Sequence, residues 1–189
     1  MKKLFILGVF LAVAFCAVNA FAATSQTVNV SAIVPTVNGL SVSVHKIVGT
    51  VWTTASAVEF GTLTWDSENN IFLPSDGAYF VLDATVSNNL GATWTITHNR
   101  NSLISGSNNI DDNVNVTFVK ATDTTESQLQ KVSFSNSQGV AYDKSALSGG
   151  WLRIYYGIAT GSSDASGVTP LGASTVAGTY TGSVTLTLS

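Results

Sequence analysis

The sequence predicts an all-β protein, an antiparallel β-sandwich with immunoglobulin-like or Greek-key connections. About eight or nine short segments alternate apolar and polar residues with the two-residue period of a strand. Clusters of Gly, Asn, Asp, Ser and Pro separate them at short intervals. After residues 1–22, no segment sustains the longer period of a helix. A closed barrel is the architectural alternative.

Residues 27–34 alternate, with Val28, Val30, Ala32 and Val34 on one face, and Pro35 ends the run. Asn38-Gly39 is a tight-turn signal, after which Leu40, Val42 and Val44 resume the alternation. This pair reads as a hairpin, or as a strand changing sheets at Pro35. Residues 58–65 form the next candidate strand, closed by the polar turn Asp66-Ser67-Glu68-Asn69-Asn70. Phe80, Leu82, Ala84 and Val86 then alternate, and Asn88-Asn89-Leu90-Gly91 turns the chain. Residues 93–97 carry Trp94 and Ile96 on one face; residues 99–109, rich in Asn, Ser and Gly, read as a loop. Val114, Val116 and Phe118 mark another strand, and Val132 with Phe134 a short one. Residues 122–148 give the weakest pattern. Residues 151–158 alternate Leu152, Ile154, Tyr156 and Ile158 against Trp151, Arg153, Tyr155 and Gly157. The last strand runs from Thr179, with Tyr180, Val184, Leu186 and Leu188 on its core face and Thr or Ser on the other.

The N-terminus carries a secretory signal. Lys2 and Lys3 precede an apolar run over residues 4–18, and Ala20-Phe21-Ala22 places small residues where a signal peptidase reads them. The expected division is a signal peptide over residues 1–22 and one sandwich domain over residues 23–189. The expected destination is the cell surface or the extracellular space, through the Sec pathway. Loss of Lys2 and Lys3 leaves six basic residues against eleven acidic ones, so the net charge moves from −3 to −5. The only cysteine, Cys16, lies in the signal, so the remaining chain must hold together without a disulfide. No hydrophobic tail or sorting motif follows the last strand, so attachment to a cell is expected to be non-covalent or mediated by partners.

Charged residues make up 10% of the chain, against roughly a quarter in ordinary soluble domains. A surface of Thr, Ser, Asn and Gly repels copies of itself only weakly. Lys46, Arg100, Lys120, Lys131, Lys144 and Arg153 are scattered, with no basic stripe for nucleic acid.

Catalysis requires a nucleophile, base or metal in a fixed constellation. His45 and His98 stand in unrelated segments and read as exposed or capping groups; no nucleophile elbow, phosphate loop or zinc spacing is present. No enzyme activity, metal or cofactor is expected. Asp66-Ser67-Glu68 and Asp111-Asp112-Asn113 offer oxygens to calcium, but solvated turns explain them better. Among the four tryptophans, Trp65 and Trp94 share phase with apolar neighbours and are expected in the core. Trp151, with Arg153 and Tyr155 on its face, forms with Tyr155 a candidate aromatic surface, and Trp52 is open to either reading. The sequons at Asn29 and Asn115 lie within strands.

The opening Thr27-Val28-Asn29-Val30-Ser31-Ala32-Ile33-Val34 and the closing Ala177-Gly178-Thr179-Tyr180-Thr181-Gly182-Ser183-Val184-Thr185-Leu186-Thr187-Leu188 resemble the terminal strands of secreted bacterial pilin-like sandwiches. These are the fimbrial subunits and the spore coat protein U-like proteins, in which a Gly-x-Tyr turn feeds the final strand. The middle segment Ala92-Thr93-Trp94-Thr95-Ile96-Thr97 is similar to WxL-type surface domains, with Ile96 where that motif has Leu. The pilin resemblance implies donor-strand assembly, in which one copy's N-terminal strand fills a groove in the next, and a periplasmic chaperone. Val28, Val30, Ala32 and Val34 are then the strand-exchange side chains; otherwise the same segment is the domain's own first strand. The leading expectation is an exported, non-enzymatic structural subunit that self-associates into a pilus-like or surface-coat polymer. The alternative is a surface module that binds glycan or cell wall through exposed aromatics.

Overall fold

A computed structural model describes residues 31–33, 38–88 and 93–189. By its contacts the chain divides into Met1–Pro35 and Thr36–Ser189. In the first unit only Ser31, Ala32 and Ile33 are described; they are exposed and belong to no strand.

The second unit is an antiparallel β-sandwich of twelve strands: β1 (Asn38–Val48), β2 (Val51–Ala55), β3 (Leu63–Asp66), β4 (Ile71–Pro74), β5 (Tyr79–Asn88), β6 (Thr95–Ser105), β7 (Asn108–Asn109), β8 (Val114–Ala121), β9 (Glu126–Ser133), β10 (Val140–Asp143), β11 (Trp151–Ile158) and β12 (Thr181–Leu188). The large sheet has the order β2-β1-β5-β11-β8-β9. The small sheet has the order β10-β6-β12, with β7 added on β6, and β3 pairs with β4 as a separate hairpin.

Alternation places the core. In β8 and β11 the even-numbered residues Val114, Val116, Phe118, Leu152, Ile154, Tyr156 and Ile158 point inward and are buried. They meet Phe80, Leu82 and Ala84 of β5 and, from the small sheet, Ile96. Leu147, Phe134 and Leu171, from outside the strands, complete this cluster. Val184, Leu186 and Leu188 of β12 pack half-buried against it.

β12 is held to its end. It pairs with β6 from Thr181↔Ile104 to Leu188↔Ile96, and Ser189 exchanges both backbone hydrogen bonds with Thr95, at 2.9 and 3.0 Å. The register shifts between Thr181 and Ser183, and the strands approach so closely there that a Cβ on Gly182 would lie 2.7 Å from the Asn101 carbonyl oxygen. Just before the strand, the Tyr180 hydroxyl donates to the Val176 carbonyl at 2.7 Å, which pins the incoming chain.

Several expectations need correction. Asn38 and Gly39 form no tight turn; they open β1 and pair with Asn88 and Ser87. Most of the stretch expected as a loop over residues 99–109 belongs to β6, which runs on to Ser105. Its polar residues have partners: Arg100 pairs with Asp111, and the Asn101 amide donates to Ser183 Oγ. Residues 58–62 lie outside the strands, and β2 and β10 had no clear signal. Trp65 is 40% exposed and packs edge-on against Phe72 of the β3–β4 hairpin instead of entering the core.

Phe118 is fully buried on the central part of the large sheet. Phe118→Ala is expected to lower stability by about 3–5 kcal/mol, while Thr185→Ala on the exposed face of β12 changes it by less than about 0.5 kcal/mol. Urea unfolding followed by tryptophan fluorescence measures both.

Candidate functional site

Three places gather side chains with chemical potential: a seam between β1 and β12, a layer on the outer face of the large sheet, and a buried polar pair in the core.

The seam arises because the sheets differ in width. On the inner face of β1, Val42 stands opposite Ala84 of β5. Ala84 is fully buried, yet Val42 is 45% exposed, and its neighbours Leu40 and Val44 are half-buried. Across from them runs β12, whose core face of Val184, Leu186 and Leu188 is also half-buried, as is Tyr180 just before the strand, which was expected within it. Among the described residues β12 hydrogen-bonds to β6 alone, so no described strand lies on its other edge. Apolar side chains and a strand edge with no partner among the described residues therefore border one opening. Of the candidate strand-exchange residues, Val28, Val30 and Val34 lie outside the described residues, as does the signal segment; Ala32 is exposed.

The outer face of the large sheet carries a second packed layer. Across five strands the register aligns Ser43, Asp83, Arg153, Val119 and Gln128 in one row, and His45, Val81, Tyr155, Thr117 and Lys131 in the next. Val81 and Val119 face away from the sandwich core and are nevertheless buried. The side chains that shield this face are aromatic and cationic. The Arg153 guanidinium lies 4.8 Å from the centre of the Trp52 ring and 5.9 Å from that of Trp151. It donates to both carboxylate oxygens of Asp83 at 2.7 Å each, and to Glu126 at 2.5 Å. The Tyr155 hydroxyl donates to the same Glu126 at 2.8 Å. Burial, reinforced by Glu126, pushes the Tyr155 phenol up to about 12, so it remains a donor. Trp151 and Tyr155 are both half-buried members of this layer, and Trp52, 43% exposed, is its outermost ring.

His98 is fully buried in β6, contrary to the expectation of an exposed or capping group at a strand end. A carbonyl only accepts, so Nδ1–H donates to the Ser137 carbonyl at 2.9 Å. Nε2 then accepts the Tyr156 hydroxyl at 2.8 Å, and the two rings stack with centroids 6.1 Å apart. Burial lowers the His98 pKa below its ordinary value and raises that of Tyr156, so both are neutral. His45, by contrast, lies within β1, with its ring centroid 5.7 Å from that of Trp52.

The acidic clusters serve the fold. Asp66 accepts the Glu68 and Asn69 amides in its own turn. Asp111 is buried, accepting Arg100 at 2.7 Å and the Leu103 amide at 2.7 Å. Asp112 accepts the Ser135 hydroxyl. Among the described residues no group of three or more His, Cys, Asp or Glu could hold a metal ion. The Asn115 amide is engaged with Asp164 and the Ala165 backbone.

The lowered His98 pKa has a definite linkage. The unfolded chain, titrating near 6.5, binds the proton that the folded chain excludes, so stability is full above about pH 6.5 and falls as pH drops toward the lower folded value. Chemical denaturation between pH 7.5 and 5 is expected to show this fall, and His98→Gln is expected to flatten it. Arg153→Lys keeps the charge but loses the bidentate, stacked geometry. It is expected to cost about 1–3 kcal/mol in the same assay, with a change in Trp fluorescence.

No family model, curated protein or solved structure matches this chain.

Proposed function

We propose that the chain is an exported, non-enzymatic structural protein, a subunit of a pilus-like or surface-coat polymer whose copies join by β-strand pairing. The observation that carries this reading is the seam. Val42 is 45% exposed on a face where its cross-strand partner Ala84 is fully buried, and alongside runs the edge of β12 that no described strand pairs. An added strand there would complete the small sheet and cover the apolar side chains in one step.

The segment best suited to it is residues 27–34. Val28, Val30, Ala32 and Val34 recur with the strand period, so one face of an inserted strand would be wholly apolar. Each valine moved from water into the seam contributes on the order of 1.5–3 kcal/mol. Few charges on the subunit surface allow copies to stack closely. The apolar run and Ala20-Phe21-Ala22 support export before assembly.

Electron microscopy of the secreted chain is expected to show regular filaments, and Val30→Asp is expected to abolish them while the circular dichroism of a β-protein persists. A chain lacking residues 23–34 is expected to remain folded and to bind a synthetic peptide of that sequence. If the shortened chain unfolds while the intact chain stays monomeric, the segment belongs to its own domain and the polymer reading fails.

A further inference from the structure

The outer face of the large sheet contains a cleft that neither the core nor the seam requires. It begins with a missing side chain. Gly157 stands beside Tyr79, and a Cβ at Gly157 would lie 3.9 Å from the Tyr79 Cβ. The absent side chain leaves a notch in the sheet surface. Tyr79 and Tyr155 border the notch, with ring centroids 6.2 Å apart and planes 35° from parallel. The cleft has a volume of about 280 Å³, and an apolar extension of about 190 Å³ past Leu73 and Pro74 shares Tyr79 and Gly157 with it. The cleft alone falls just short of the size range of small-ligand sites, roughly 300–1,000 Å³, and with its extension lies within it.

The remaining wall is the loop after β11, and it is firmly set. Asp164 accepts the Asn115 amide at 2.7 Å with one oxygen and the Gly161 backbone amide at 2.7 Å with the other. Ser163 is held at a φ of 56°, a left-handed conformation unusual for a residue with a side chain, and its carbonyl accepts Lys131 Nζ. The wall therefore stands in place before any ligand arrives.

We propose that this cleft binds an uncharged β-linked oligosaccharide. The tilted tyrosine pair offers flat apolar faces of the kind that stack on the axial C–H face of a gluco-configured pyranose. Around them, Tyr79, Thr117 and Ser162 supply hydroxyls suited to the sugar's equatorial hydroxyls. The two charged groups of the lining, Lys131 and Asp164, have opposite sign and are held by the loop, which favours a neutral ligand over an acidic one. The site lies on the face opposite the seam, so strand pairing would leave it open to the outside of an assembly, and each copy would add one more sugar site.

Cellotetraose and the N-acetylglucosamine tetramer are the probes, added at millimolar concentration to the full secreted chain in saturation-transfer NMR. Saturation is expected on the axial C–H protons of at least one of them. Tyr79→Ala and Gly157→Leu, the second filling the notch, are each expected to weaken binding about tenfold or more, with circular dichroism unchanged. Trp65→Ala, on the separate hairpin, is expected to bind as the parent does. Absence of transfer from both sugars overturns the proposal. So does binding that survives both cleft substitutions. Filament formation by Tyr79→Ala reports separately on strand pairing, so failure of either idea is distinguishable from failure of the other.

Discussion

Among the described residues six strands present an inner face that only β10, β6 and β12 cover as a second sheet, and much of the remaining structure follows from that mismatch. Where the sheets overlap, the core is dry enough to bury His98 against Tyr156 with both hydrogen bonds satisfied. Beyond the small sheet, Phe134, Leu147 and Leu171 fill the space from irregular segments. Along β1 the covering runs out, and Val42 is left at the opening although it belongs to the core face.

The outer layer meets a different need. Apart from Cys16 the chain has no thiol, so nothing covalent can staple the sheets. The large sheet is instead packed on both faces, with Arg153 between two indoles and tied to two carboxylates. This arrangement couples β2, β5, β9 and β11 through one side chain, linking both edges of the sheet to its centre. It uses few charges, which is consistent with a composition in which Lys, Arg, Asp and Glu are scarce.

Strands with one dry face and one wet face were legible in the sequence. β5, β8, β11 and β12 carry their alternation openly, and β11 matches the expected residues 151–158. The polar strands were not. β9, Glu126–Ser133, is an edge strand whose residues are mostly exposed or half-buried, so it has no apolar period to detect. The middle of β6 looked like a loop because its Arg and Asn side chains bond to other segments instead of packing. His98 looked exposed because its partner, Tyr156, is 58 residues away in sequence. The seam was legible only in part: the apolar face of β12 could be read, but which strands become its neighbours could not. The Tyr79–Gly157 notch likewise exists only across a strand pairing, which local pattern cannot supply.

The pairing of β12 with β6 also sets a clock. Asn101 and Ser183 meet across 82 residues, so this contact belongs to the slow, non-local class of folding events. Until it forms, Ile96 has only β10 of its two neighbouring strands, and the apolar stripe of β12 has no sheet to join. A chain in which β12 has not yet paired with β6 offers that stripe to other strands.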